Sequence, residues 1–210
     1  SFISFISVLG IALGVAALII VLSVMNGFQK EVRDRMLSVI AHVELFDAQG
    51  AALPDWRAVA DQARAAVPGQ VLGAAPFVST QVLIARGEDM RGALLRGISP
   101  ADEASVTPLA AQLQGSTFAK LQAGEWNIVL GIELARSLGV REGDKITVVT
   151  PGGQVTPAGI VPRLKQFTLA GTFEAGHYEY DSALALIHLD DGARLLRVEG
   201  ATGVQLKLGD

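Results

Sequence analysis

From Phe5 to Met25 the chain runs for 21 residues without a charged side chain. At a rise of 1.5 Å per residue, a helix of that length crosses a hydrocarbon core of about 30 Å. Thirteen of the residues are Phe, Ile, Leu or Val, which on an insertion scale favours the bilayer by roughly 4–8 kcal/mol. A secretory signal would carry a shorter apolar region closed by a small-x-small cleavage site. This run passes instead into Asn26-Gly27-Phe28 and a charged stretch. A helix buried in a soluble core is the other option, but such helices are rarely apolar on every face for this length. A spanning helix is the reading these residues favour.

The same run has a second pattern. Ser7, Gly10, Gly14 and Ala17 recur at i, i+3, i+7 and i+10, lining small residues along one helical face, with Gly10 and Gly14 forming a G-x-x-x-G pair. Lipid tails match Leu in apolarity, so such a stripe serves only where another helix packs closely. From Gln29 to Ile40 an amphipathic period continues: Val32, Met36, Val39 and Ile40 share a face, and Lys30, Glu31, Arg33, Asp34 and Arg35 fall elsewhere. A helix that leaves the bilayer and keeps going forms a stalk.

All 17 Lys and Arg lie from Lys30 onward and the net charge is −4. That charge and the absence of a dense basic block argue against a nucleic-acid binder. The absence of Cys excludes disulfides and thiolate metal sites and fits either a cytosolic or a periplasmic address. Beginning at Ser1 without Met and stopping at Asp210 after a strand-like run, the 210 residues read as a fragment.

Beyond the stalk the pattern alternates. "HVELFD" (42–47) reads as a strand, and Pro54-Asp55 opens a helix from Trp56 to Val67, closed by Pro68-Gly69. "VLGAAPFVSTQVLIARG" and "MRGALLRGI" read as long strands joined at Gly87-Glu88-Asp89. Ser99 is expected to cap a helix with Glu103 soon inside. "NIVLG" (127–131) is a short buried strand, Ile132–Leu138 a short helix stopped by Gly139, and 143–150, 165–174 and 182–189 are strands. A helix from Asp190-Asp191 to Arg197 and a strand over 202–209 complete the reading. The class is α+β.

Between two of these strands lies "PGGQVTPAGIVPRL" (151–164), about fourteen residues with three Pro and three Gly where hairpin loops usually have two to five. Pro151, Pro157 and Pro162 cannot donate ladder hydrogen bonds, and Ile160 and Val161 are apolar on what reads as an exposed arm. Long ordered loops of this kind are disproportionately binding elements. Enzyme chemistry is not indicated. There is no G-x-x-x-x-G-K-[ST], no G-x-G-x-x-G between strand and helix and no G-x-S-x-G elbow. His42, His177 and His188 lack ligand spacing. "GHYEYD" (176–181) would place His177, Glu179 and Asp181 on one face of a strand, although a polar strand edge or turn explains it better. No cofactor and no metal site is expected.

"FISFISVLGIALGVAALIIVLSVMNGFQKEVRDRML" resembles the first membrane helix and stalk of lipoprotein-releasing permeases, the LolC/LolE family, and "LSVMNGF" and "GHYEYDSALALIHL" are its most specific runs. The resemblance covers essentially the whole chain. It implies an ABC transporter permease of the mechanotransmission type in the bacterial inner membrane, multi-pass in full length, with this soluble part in the periplasm. It implies a transmembrane helix and stalk at 1–41, the first half of a MacB-like, porter-like α/β domain at 42–98, an inserted mainly-β subdomain with a protruding hairpin at 99–198, and the start of a second porter half at 199–210. The implied partners are a separate ATPase subunit, a second permease subunit in a homo- or heterodimer, membrane lipid, lipoprotein cargo and a periplasmic lipoprotein chaperone. Ser7, Gly10, Gly14 and Ala17 would pack against neighbouring helices, Val24, Met25 and Phe28 would meet lipoprotein acyl chains, and Pro151, Pro157, Ile160, Val161, Pro162, Arg163 and Lys165 would hook the chaperone. Two competitors stand beside this reading: a related mechanotransmitting permease with other cargo, and a singly anchored periplasmic binding module.

Overall fold

The computed structural model describes residue 10 and residues 12–25, 43–107, 116–156 and 159–209. The chain divides into two compact units, 1–40 and 41–210. In the first, residues 12–25 form a helix (α1) whose Leu13, Val15, Leu18, Ile19, Ile20, Val21, Leu22, Val24 and Met25 are each more than half exposed. Among the described residues no helix is long and apolar enough to cross a membrane; residues 5–9 of the expected span, and the expected stalk over 29–40, lie outside the described residues.

The second unit is built on one eight-stranded sheet. Its strands are β1 (Val43–Phe46), β2 (Val71–Arg86), β3 (Asp89–Ile98), β4 (Asn127–Gly131), β5 (Lys145–Thr156), β6 (Gly159–Phe173), β7 (Leu184–His188) and β8 (Gly203–Leu208), in the order β1-β8-β2-β3-β7-β4-β6-β5. Because β2 also pairs with β5 through Leu83↔Val149 to Ala85↔Thr147, six of the strands close into a ring. Closure follows from the length of β2. Its first part pairs with β8 from Val71 to Phe77, and its second part is flanked by β3 on one side and β5 on the other.

Period-two alternation decides what fills the ring. Val82 and Ile84 of β2, Ala93 and Leu95 of β3, Ile128 and Leu130 of β4, Ile146 and Val148 of β5, Phe167 and Leu169 of β6, and Ala185 and Ile187 of β7 form one buried apolar cluster. Each large member contributes roughly 1.5–3 kcal/mol by leaving water. Two helices complete the cluster. Leu134, Ala135 and Leu138 come from α5 (Ile132–Ser137) and the residue after it, and Leu195 comes from α7 (Leu189–Leu196). The former lies at the β2–β3 turn, where Arg86 donates to the Gly139 carbonyl and Arg91 Nη2 to that of Ser137. At the other end of the ring, α7 brings Gly192 against Gly97 and Val78.

The smaller β1-β8-β2 sheet carries α2 (Trp56–Ala66) on one face, where Ala60, Ala74, Val204 and Leu206 are buried with Leu45, Val59 and Ala63 around them. Asp55 accepts from the Ala58 amide as its N-cap. The two-residue turn between β2 and β3 uses Gly87 at φ +60°, which a side chain would resist. Two short helices, α3 (Pro100–Glu103) and α4 (Ser116–Ala119), and α6 (Tyr178–Ala183) complete the unit.

Three expectations need correction. Residues 151–164 are not a loop: β5 and β6 continue through them as a hairpin arm, paired out to Thr156↔Gly159, with a register shift between Thr150 and Gly153 where Pro151 lies. A bulge accommodates a residue that has no amide to donate. Ser99 occupies the N-cap of α3 without a side-chain cap bond; its hydroxyl donates to Asp102 Oδ2 at 2.6 Å. The segment "GHYEYD" is not a strand, because Tyr178–Ala183 is helical and His177 is its N-cap.

Candidate functional site

The arm and the wall beneath it form the most distinctive surface of the second unit. Strand alternation splits the residues at the base of β6 between two environments. Arg163 turns toward the end of the ring, where its Nη1 donates to the carbonyls of Leu195 at 3.4 Å and Leu196 at 3.2 Å. Those carbonyls belong to the last turn of α7, which ends at Arg197 in the left-handed region (φ 58°), so a guanidinium there satisfies acceptors and opposes the helix dipole. Lys165 lies with Nζ 3.9 Å from the Trp126 ring centroid. Leu164, between them, faces outward and is 64% exposed.

Trp126 is held for that contact by a buried acid. Asp191, fully buried at the start of α7, accepts from the Gly124 amide at 2.7 Å and the Trp126 amide at 3.2 Å. These bonds hold Trp126 at φ 55°, a conformation unfavourable for a bulky residue. The ring then meets Phe167 edge to face at 5.5 Å. The base of the arm is therefore fixed to the ring core through Asp191, Trp126 and Lys165.

Outside the wall the lining changes character. An apolar groove of about 680 Å³ is lined by Gln81, Leu83, Gly92, Leu94, Val149 and Ala183, with Pro151 and Pro162 at the foot of the arm. The register makes the floor continuous, since Leu164 pairs with Val149, Val149 with Leu83, and Leu83 with Gly92. Leu83 is 44% exposed and Leu94 38%, whereas Ile84 and Leu95, their inward neighbours, are almost fully buried.

A second polar assembly lies between β8, β3, β1 and α3. Glu103 is 3% exposed and accepts from Thr107 Oγ1 at 2.9 Å and Gln205 Nε2 at 2.5 Å. The Gln205 carbonyl in turn accepts from Arg96 Nη2 at 2.8 Å, and the same nitrogen reaches Glu44 at 2.8 Å. Burial raises the Glu103 pKa, and the Gln205 hydrogen bond and the Arg96 charge only partly offset it. This chain ties three strands and a helix together.

Of the residues singled out from sequence, Gly14 and Ala17 lie on α1 with exposed surface, as do Val24 and Met25, and Gly10 is helical and exposed. Ser7, Phe28 and Pro157 lie outside the described residues, as do the side chains of Ile160 and Val161. Pro151 and Pro162 meet at the groove, while Arg163 and Lys165 are engaged within the chain. In the "GHYEYD" segment, Asp181 is buried and accepts the Ala175 amide at 2.6 Å. Among the described residues no group of three His, Asp or Glu could hold a metal ion. The sequence reading missed Leu83, Gly92, Leu94 and Leu164; apolar outward positions in strands whose inward positions are also apolar were the available signal.

A family model described as the MacB-like periplasmic core domain matches residues 4–209. Over 210 residues the sequence is 46% identical to the lipoprotein-releasing system transmembrane protein LolC of Xylella fastidiosa (strain Temecula1 / ATCC 700964), covering 100% of this chain and 50% of that protein. The LolC protein of Neisseria meningitidis serogroup B is likewise 46% identical, over 213 residues, with 100% of this chain and 50% of that protein covered. The LolE protein of Haemophilus influenzae is 30% identical over 208 residues, covering 97% of this chain and 49% of that protein. The chain spans about half the length of the curated relatives it matches.

Proposed function

The chain belongs to the family of MacB-like periplasmic core domains, and from that premise we propose that it is part of a permease subunit of a lipoprotein-releasing ABC transporter. The single observation that carries the reading is 46% identity to LolC proteins along the whole chain. The subunit lies in the inner membrane, extracts lipoproteins from it and passes them to a periplasmic chaperone. It is not itself catalytic and holds no cofactor; ATP is hydrolysed on a partner chain.

In this reading residues 5–25 span the bilayer, and Ser7, Gly10, Gly14 and Ala17 pack in a bundle with a second permease subunit. The exposed surface of α1, uncharged and apolar apart from Ser23, supports that environment. The stretch 29–40 couples helix motion to the domain, and Val24, Met25 and Phe28 meet the cargo's acyl chains at the membrane surface. Residues 42–98 and 199–210 belong to the porter-like part, and 99–198 to the inserted subdomain. The arm, with Pro151, Pro157, Ile160, Val161, Pro162, Arg163 and Lys165, hooks the chaperone. A paired hairpin rooted in a closed ring suits that task, because rigidity lowers the ordering cost of docking.

The test uses the full-length protein in membranes. Pro157→Asp combined with Ile160→Asp is expected to lower chaperone pull-down at least tenfold while leaving membrane insertion unchanged. Undiminished capture by that variant removes the hook assignment.

A further inference from the structure

Gly92 sits in the interior of β3, where glycine weakens a strand and commonly marks a close approach by another molecule. Neither of the usual structural reasons applies here. Its φ is not in the left-handed region, and a Cβ built on it meets no atom within 4 Å. What the missing side chain does is leave the floor of the 680 Å³ groove open between Leu83 and Leu94.

The chemistry of the lining selects among occupants. Leu83, Leu94 and Val149 each have paired strands on both sides, so at these three positions the floor has no ladder position to offer an added strand. Gln81 and Thr150 are the polar side chains of the lining, and Thr150 is 1% exposed. None of the lining residues is charged. A peptide laid there would find few partners in the wall for its backbone donors and acceptors. A saturated hydrocarbon chain needs no hydrogen bonds, complements an uncharged wall, and is stabilised by each methylene it buries. The volume lies within the range of sites that enclose small ligands.

We propose that the groove bounded by Leu83, Gly92, Leu94, Val149, Pro151 and Pro162 binds a fatty acyl chain of the lipoprotein cargo at the foot of the hairpin arm. The inference rests on the lipoprotein-releasing reading for the identity of the chain's donor. The site holds acyl chains outside the bilayer, next to the arm that receives the chaperone.

A palmitoylated lipopeptide bearing a diazirine on its acyl chain serves as probe, irradiated with the full-length protein in nanodiscs and mapped by mass spectrometry. Labelling is expected on the peptides that contain Leu83 and Leu94. Gly92→Leu, which fills the floor, is expected to reduce that labelling about tenfold, and Leu94→Gln several-fold, with thermal midpoints near that of the unmodified protein. Competition by the same peptide without its acyl chain, crosslinks joining two copies of this chain, or labelling indifferent to both substitutions would overturn the assignment. Chaperone pull-down is read in the same samples. Lost capture in Pro157→Asp/Ile160→Asp with labelling intact separates hook from groove, whereas labelling at the groove without any chaperone capture by unmodified protein counts against the hook alone.

Discussion

Two glycines on β3, five residues apart, mark two regions that the same strand builds differently. At Gly97 an added Cβ would lie 3.4 Å from the Leu189 Cα and 3.5 Å from both the His188 carbonyl oxygen and the Val78 Cβ. These are ordinary contact distances, so α7 and β2 leave room there for a methyl group but not for a longer side chain. At Gly92 there is nothing within 4 Å, and the wall outside is bare apolar surface. A glycine whose neighbours already stand at contact distance belongs to the packing of the fold. One that packing does not require points to something outside the chain.

The largest effect expected from this contrast is on stability. Gly97→Leu should overpack the junction of α7 with β2 and β3 and cost about 1–3 kcal/mol or more, while Gly92→Leu should change stability by less than about 0.5 kcal/mol, as surface substitutions do. Urea melts of both variants check this, and equal losses would erase the distinction between the two ends of the strand.

A smaller effect concerns the polar chain on the opposite side of the small sheet. Because burial raises the Glu103 pKa in the folded state, the stability linked to this group is fully present below its unfolded value near 4.5 and is lost as pH rises through the raised folded value. Glu103→Gln removes that loss, so the stability of the variant relative to the unmodified protein should increase on going from acid to neutral pH. A difference that is flat with pH would show that the carboxyl is not raised.

Much of this architecture was legible in the residues. The strands over 127–131 and 202–209, the helix after Asp55 and the β2–β3 turn at Gly87 follow from alternation, capping and glycine placement. What was not legible was ring closure, which depends on β2 meeting β5 some sixty residues away, beyond the reach of any local period. Residue pattern alone reads the arm as a loop, because three prolines and three glycines usually break strands, and a bulge at Pro151 absorbs the conflict. The groove stayed hidden for a related reason. Around Leu83 of β2 and Val149 of β5 the inward and outward residues are both apolar, so the sequence distinguishes a doubly buried stretch from a half-exposed one only after the fold assigns the faces. Asp191 read as a helix-start acid, and its second task, fixing the backbone at Trp126, needs a partner 65 residues distant.

The central claim, that the bare wall beneath the arm works on an acyl chain, is tested most directly by lipoprotein release from reconstituted vesicles. The comparison is between Gly92→Ala and Gly92→Leu. A methyl leaves the groove open and an isobutyl group projects across its floor between Leu83 and Leu94, so release should be nearly unchanged in the first and fall about tenfold in the second. Equal release by the two variants would contradict the account.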